Sequence, residues 1–221
     1  MATCKWCGKS GFFISVNTYG LCGDCNYLVK PEAEERFRLI RNSVKTVMKT
    51  KNLNTKLSQL DFIIEEATYL LKYENKGIRM FDTNPSVIID SAKKDKIEAI
   101  TENLSDEYSN LISKIEIANS FNTKINEINK FLLKIQNYKG IPNLEINKIE
   151  KQIINKKHEL QLNNYLEAAK KAEFKNETKK AISQYQEALY FLKNDDIDDK
   201  LQKENIKKIE EKIKELSTVK G

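Results

Sequence analysis

Apolar residues recur every three or four positions over most of this chain, which is the spacing of amphipathic helices. One such segment runs from Pro31 to about Thr50, and Pro31 with the glutamates after it suits a first helical turn. A second segment begins near Leu57 and ends near Gly77. Because the connection between the two is short, residues 31–76 are predicted to form a helical hairpin.

A longer periodic segment follows a linker at residues 77–86, where Asn84-Pro85 breaks one helix and starts the next. Its apolar positions approach a heptad seam, with a kink expected near Asn119-Ser120 and a turn at Lys139 to Pro142. We expect residues 86–163 to form a long antiparallel helical hairpin or stalk. An intermolecular coiled coil is the alternative, and it would make the chain a homodimer through this stalk.

The first thirty residues depart from the helical pattern. Phe12 to Val16 is a short run of β-type residues, and Asn17 to Gly20 then provides a turn, so a β-hairpin is expected here. The pattern becomes helical directly after Cys25. The predicted fold class is therefore mainly α, with a small N-terminal module (residues 1–30) that contains a β-hairpin.

All four cysteines lie in this module, in the pattern C-x2-C-x14-C-x2-C formed by Cys4, Cys7, Cys22 and Cys25. Two cysteines three positions apart can turn both sulfurs onto one ion, and two such pairs complete a tetrahedral thiolate site for Zn²⁺. No fifth ligand is apparent, so one structural zinc ion is expected. Two disulfides, an iron–sulfur cluster and a redox-active pair are the alternatives.

This layout resembles a treble-clef or zinc-ribbon-type zinc finger over about residues 3–30. The resemblance implies that the same four cysteines are the metal ligands, and the helix after Cys25 favours the treble clef. Trp6, Phe12, Phe13 and Tyr19 are expected to form the small core of the finger. The alternative makes Trp6, Phe13 and Tyr19 exposed contacts for a partner.

Small residues characterise residues 164–217, and they let two helices approach closely. Ala169, Ala172, Ala181, Tyr185 and Ala188 resemble the packing positions of one tetratricopeptide repeat, and also those of the three-helix microtubule-interacting-and-transport domain. A third helix is expected from Asp198 to Leu216. Both families bind peptides or helices, which makes Tyr185 a candidate partner contact. Close helix packing without binding is the alternative.

Composition excludes a many-stranded sandwich or barrel, because the chain has only 7 Gly and 3 Pro for turns. No apolar run approaches the length of a membrane-spanning helix, and the N-terminus has no apolar signal core. We therefore expect a cytoplasmic protein with no membrane partner. The formal net charge of +6 is compatible with nucleic acid without arguing for it.

Four cations share one face of the first predicted helix: Arg38, Arg41, Lys45 and Lys49. Such a ridge beside a zinc finger suggests phosphate contacts, whereas a solvated helix face is the alternative. Catalysis has no sequence support, since no phosphate-binding glycine loop or nucleophile motif is present, and the single histidine, His158, lies in a polar stretch where solvation is expected.

The chain as a whole resembles small, mostly uncharacterised zinc-finger-headed helical proteins of bacteria and phages, a likeness that implies no activity. The leading hypothesis is a non-enzymatic zinc-binding adaptor that binds protein partners through the finger and the C-terminal helices. The alternative hypothesis is a nucleic-acid-binding regulator that uses the finger and the four cations.

Overall fold

The structure is a computed structural model that describes residues 2–138, 140–141, 144–195, 197 and 199–218. These residues contain seven helices, and the prediction of a mainly α protein is confirmed. The helices are α1 (Gly23–Lys49), α2 (Leu53–Glu74), α3 (Pro85–Ile117), α4 (Phe121–Gln136), α5 (Leu144–Phe174), α6 (Thr178–Lys193) and α7 (Asp199–Thr218). Lys139, Pro142 and Asp198, which the sequence assigns to a turn and a helix start, lie outside the described residues.

The predicted β-hairpin does not form, since the described part of residues 1–30 contains no strand. Its β-structure is a single antiparallel bridge between Thr3 and Ser10. Phe12 and Phe13, which would begin the first strand, are 91% and 102% exposed, so no surface packs against them. A strand needs such packing for its stability, and without it the run stays irregular.

The side chain of Asn17 organises the loop that replaces the hairpin. Its Oδ1 accepts hydrogen bonds from the backbone N–H groups of Tyr19 and Leu21, both at 3.0 Å. Its Nδ2 donates to the side chain of Asn26 on α1 at 2.7 Å. These local bonds bring Leu21 and Cys22 to the start of α1 without a β-ladder.

Helix α1 begins at Gly23, eight residues before the start that Pro31 suggested. Cys22 is the N-cap residue of this helix, and Pro31 lies inside it on an exposed side. A proline in a helix interior removes one backbone hydrogen bond, but on the exposed side water can reach the carbonyl that loses its donor. One continuous helix therefore joins the second cysteine pair to Lys49.

The chain divides into two compact units, Met1–Asp106 and Glu107–Gly221. In the first unit, α1 packs against α2, and the buried residues form one continuous core with the cysteine-containing segment. That core includes Cys4, Leu21, Cys25, Val29, Ile40, Leu60, Ile63, Leu70, Tyr73 and Ile89. The cysteine segment therefore shares its core with the helical hairpin.

In the second unit, α5 packs against both α4 and α6, and α6 packs against α7. Ala169, Ala172, Ala181 and Ala188 are buried, as small residues at a close helix contact should be. Asn176 adopts a φ of 56° in the turn between α5 and α6, a left-handed conformation that asparagine tolerates. The domain boundaries within residues 86–217 stay predictions.

The expected kink near Asn119-Ser120 is a full break between two helices. Helix α3 ends at Ile117, and Ser120 caps α4 by accepting a hydrogen bond from the Thr123 N–H at 3.1 Å. Over the residues that the structure describes, no helix combines the length and the apolar character that a membrane span requires.

Candidate metal centre

The four cysteines converge on one point, as their spacing predicts. Their Sγ atoms all lie within 4.8 Å of one another, and the sulfurs of Cys7 and Cys22 are 3.9 Å apart. All four are free thiols. A tetrahedral thiolate site with metal–sulfur bonds of about 2.3 Å has sulfurs about 3.8 Å apart, so this donor set can hold one metal ion.

The first cysteine pair is held in a tight backbone turn. The Cys4 N–H donates to the carbonyl of Lys9, and the Gly8 N–H donates to the carbonyl of Cys4, both at 2.9 Å. Gly8 has a φ of 76°, a left-handed conformation that side chains with a Cβ rarely adopt. Glycine directly after Cys7 therefore lets the chain turn back and aim both sulfurs to the same side.

The second pair occupies the start of α1. Cys22 is the N-cap residue, Cys25 lies in the first turn, and the Cys22 N–H points at the sulfur of Cys4 at 3.3 Å. A helix N-terminus carries partial positive charge, which favours thiolates over thiols. The helix thus contributes both position and electrostatic support to the site.

The thiols differ in how readily they ionise. Burial alone would raise the pKa of the Cys4 thiol, but hydrogen bonds from the backbone N–H groups of Cys7, Cys22 and Trp6 and from the Cys7 thiol lower it to about 6. Burial and the neighbouring thiols raise the pKa of Cys25 to about 12. The environment therefore favours the thiolate of Cys4 and the protonated thiol of Cys25, and a cation bound between the sulfurs would favour the thiolate form.

The segment that contains the first cysteine pair, Cys4 and Cys7, packs against the C-terminal end of α2. The rings of Trp6 and Tyr73 are 5.2 Å apart, and the Lys76 ammonium lies 4.8 Å from the Trp6 ring. Lys76 also donates to the Trp6 carbonyl at 2.9 Å, while Lys5 donates to the Gly77 carbonyl at 2.6 Å. These contacts attach the N-terminal part of the cysteine segment to α2, whereas its C-terminal part continues directly into α1.

A polar network connects this end of α2 to α1. Tyr73 Oη and Lys72 Nζ donate to the carboxylate of Glu32 at 2.8 and 2.9 Å. Hydrogen bonds from Lys72 and Tyr73 lower the pKa of Glu32, because both favour the ionised carboxylate. Arg36 on α1 reaches Glu66 on α2 at 2.8 Å. Together these bonds hold the two helices in register next to the cysteines.

The four residues predicted as partner contacts have different environments. Phe13 is fully exposed, and Phe12 beside it is almost as exposed. Trp6 and Tyr19 are half-buried against the core of the first unit. Tyr185 is buried between helices of the second unit, where its hydroxyl donates to Glu173 at 2.5 Å. Burial and this carboxylate raise the pKa of Tyr185.

The four cations of α1 are exposed on one face, as their spacing predicts. Arg38 is engaged by Glu35 through two hydrogen bonds of 2.7 Å. Within the part of the chain that the structure describes, Arg41, Lys45 and Lys49 have no carboxylate at ion-pair distance. Arg41 lies over the Phe37 ring, 5.5 Å from its centroid. The ridge therefore carries three positive charges without a described carboxylate partner, of which Arg41 contacts an aromatic ring.

His158 is not solvated as the sequence suggested. Its Nε2 lies 2.6 Å from Asp195 Oδ2, its ring stacks on Phe191 at 4.8 Å, and its side chain is only 16% exposed. The amide nitrogen of Gln202 contacts the other oxygen of Asp195 at 2.9 Å. The signal was present in the sequence, because His158 precedes buried Leu162 by four residues and so shares its helix face.

Comparisons of the chain with protein-family models, with curated proteins and with solved structures found no match. Inference about its function therefore rests on the residues and their geometry alone.

Proposed function

We propose that this protein is a zinc-binding adaptor that catalyses no reaction and binds protein partners beside its metal site. The observation that carries the proposal is the juxtaposition in sequence of a converging four-thiol cluster with two fully solvent-exposed phenylalanines, Phe12 and Phe13. Exposed aromatic residues are costly in water and are enriched in protein interfaces. A bound ion would hold the loop that carries them in one conformation.

Zinc fits this donor set best among the metals. Four thiolates around a single tetrahedral position suit Zn²⁺, whereas an iron–sulfur cluster needs room for several metal and sulfide atoms within the cage. With the second pair at the start of α1, the arrangement agrees with a treble-clef-type finger without a regular hairpin. The role of the ion in this proposal is structural, since four protein ligands leave no open position for a substrate.

Helices α5 to α7 are proposed as the second binding module, similar to a tetratricopeptide repeat or a microtubule-interacting-and-transport domain. Buried alanines on α5 and α6 support the likeness. Because Tyr185 is buried, the contacts of such a module would come from exposed residues such as Tyr190. A homodimer through residues 86–163 also stays a proposal, and light scattering on the full chain would test it.

Metal analysis of the full chain, purified under reducing conditions, tests the metal site. One zinc per chain is expected, and Cys25→Ser should remove it because the remaining three thiols leave the tetrahedron incomplete. Thr18→Ser, an exposed change in the same segment, is the matched control and should retain the metal. A fully folded, metal-free wild-type chain would overturn the metal assignment.

Quantitative crosslinking tests the adaptor role. The double change Phe12→Ser with Phe13→Ser should remove the partners that wild-type protein captures, while keeping the metal and the fold. Ile117→Ser removes an apolar residue of 80% exposure outside both proposed binding modules and is the matched control. Equal capture by both variants would show that the Phe12-Phe13 loop is not the contact.

The second candidate function is nucleic-acid binding, and the three unpaired cations on α1 favour it. Binding of this kind weakens steeply with salt because phosphate contacts release counterions. Lys45→Ala should then reduce the slope of log affinity against log salt concentration by about one unit. Absence of binding to random single- and double-stranded oligonucleotides at low salt would remove this candidate.

A further inference from the structure

An open apolar groove lies along α1 in the first unit, away from the cysteines. It has a volume of about 370 Å³ and is bordered by α1, α2, Thr83 and the first part of α3. Its floor consists of buried residues, and its two walls come from α1 and α3. The floor is formed by Ile40, Leu60, Ile63 and Ala92, and the walls by Phe37, Val44, Val47, Met48, Val87 and Ile88.

The walls of the groove are unusually exposed for apolar side chains. Met48 is 81% exposed, Val87 is 55% exposed and Val44 is 40% exposed. They extend an apolar surface that is continuous with the core beneath, so a partner placed there would bury both walls and floor. Methionine adapts its shape to different partners, which suits a wall of a binding groove.

The groove has a basic margin on the α1 side, whereas the carboxylate of Asp95 lines it on the α3 side. Arg41 lines the groove itself, and Lys45 and Lys49 follow it at intervals of four residues. At about 100° per residue, Arg41, Lys45 and Lys49 lie about 20°, 60° and 100° around the helix from Met48. Among the residues that the structure describes, none of the three has a carboxylate at ion-pair distance. The margin therefore places Arg41 and Lys45 beside the apolar surface, with Lys49 next along the same ridge.

We propose that this groove binds an amphipathic helix of a partner protein, with apolar residues on one face and carboxylates along the flank that meets Arg41, Lys45 and Lys49. The α1 wall from Phe37 to Met48 is about 16 Å long, which is three helical turns. Anchors at positions i, i+3 or i+4, i+7 and i+11 of such a helix match that length. Carboxylates on its flank would complement the basic margin and set its direction.

This inference rests on the proposed adaptor function for one point, which is that the partner is a protein. It does not depend on the metal site or on the Phe12-Phe13 loop. Nucleic acid fits the groove poorly, because the apolar walls would meet no complementary surface on a phosphate backbone. A partner of the proposed kind must therefore contact both the basic margin and the apolar wall, so the test changes each of them separately.

The experiment uses the full chain with its metal to select from a displayed library of amphipathic helical peptides of about 20 residues. The apolar positions of the library are fixed, and its flanking positions vary among acidic, neutral and basic residues. We expect the selected peptides to be acidic on one flank. Their affinity, measured by fluorescence anisotropy, should fall at least about tenfold in Met48→Asp.

The charge reversal Lys45→Glu with Lys49→Glu should weaken the selected peptides by about tenfold at low salt and by less at high salt. Ile117→Asp and Lys130→Glu, exposed changes outside both the groove and helices α5 to α7, are the matched controls and should leave affinity unchanged. Circular dichroism would confirm that each variant keeps its helix content.

Three results would overturn the proposal: no enriched peptides, enriched peptides without an acidic flank, or binding that Met48→Asp leaves intact. A dimer of the chain that Met48→Asp dissociates would also overturn it, by making a second copy the occupant. Failure of the adaptor function gives a different pattern, in which the groove selects acidic helices while crosslinking through the Phe12-Phe13 loop captures no partner.

Discussion

The two units of the chain hold their helices together by different chemistry. In the first unit, buried sulfurs of Cys4 and Cys25 belong to the same core as the leucines and isoleucines of α1 and α2. In the second unit, alanines on α5 and α6 bring those helices close, and the core around them contains no cysteine, because all four cysteines precede residue 26. The first core includes ionisable thiols that could hold a metal ion, whereas the second consists of apolar packing with a few polar pairs.

This difference teaches where each unit should be vulnerable. Around the cysteines, a short segment with little apolar area of its own is attached to α2 by the contact between Trp6 and Tyr73, and the proposed ion would fix its geometry. Around the alanines, stability depends on shape, since closely packed helices with Tyr185 and Leu192 buried beside the alanines leave no room for extra atoms. Loss of metal should therefore affect only one unit, and a change of side-chain volume at the alanines only the other.

The largest expected effect is that of metal removal. A structural zinc site contributes about 10–16 kcal/mol of apparent binding free energy, so a chelator should unfold residues 2–30. Hydrogen exchange should then accelerate there and remain unchanged over residues 178–193. Acid should act in the same direction, because protons compete with the metal for the thiolates. Equal acceleration in both segments would contradict the comparison.

Next in size is overpacking at the alanine contact. Ala169 is fully buried, and Ala169→Leu should destabilise the second unit by about 3 kcal/mol, since the helices must separate to admit the larger side chain. Thermal unfolding followed by circular dichroism would measure it. Lys170→Leu, an exposed neighbour, is the control and should have little effect. If a chelator lowered the stability of the second unit in the Ala169→Leu protein, the expected independence of the two units would be contradicted.

A smaller effect is expected at the polar pair of the second unit. Asp195→Ala leaves both His158 and the Gln202 amide without their carboxylate partner and should cost about 2 kcal/mol. Urea unfolding of the full chain would provide the value. His158→Phe, which keeps the stacking on Phe191, should cost less than His158→Ala, and the reverse order would show that packing is unimportant here.

The smallest effect concerns the network behind the cysteines. Glu32→Gln should lower the stability of the first unit by about 1 kcal/mol at neutral pH, because it removes the charge that Lys72 and Tyr73 favour. Since the pKa of Glu32 is lowered by folding, its contribution is complete above the ordinary value of 4.5 and declines as the pH falls below it. Wild-type and variant stabilities should therefore converge in acid.

Helical periodicity and cysteine spacing predicted much of this fold, because both are properties of local sequence. Buried positions such as Ile63 and Leu104 follow the three-and-four spacing, and the four thiols meet as C-x2-C pairs should. Wherever a prediction depended on what covers a residue, sequence was insufficient. Phe12 and Phe13 suggested a strand because apolar runs are usually buried, and they are exposed.

The same reason explains the two sites that the sequence did not predict. Helix spacing places His158 on the face of buried Leu162, but it could not identify the partner Asp195, which is 37 residues away and reaches His158 only through tertiary packing. The groove beside Met48 likewise depends on how Val87 and Ile88 of α3 are placed next to α1. Spacing along one helix contains no information about such distant neighbours.

Pro31 gives α1 a second place from which it can begin. Were the turns of residues 23–30 to unwind after loss of the ion, Pro31 would become the first residue of a shorter helix, where its missing N–H costs nothing and Glu32, Glu34 and Glu35 favour the exposed amide end. Residues 37–48 would keep their helical form in that shortened state. The cysteine cluster and the groove beside Met48 thus lie on one helix that has an internal starting point at Pro31, and we expect the groove to persist when the proposed ion is removed.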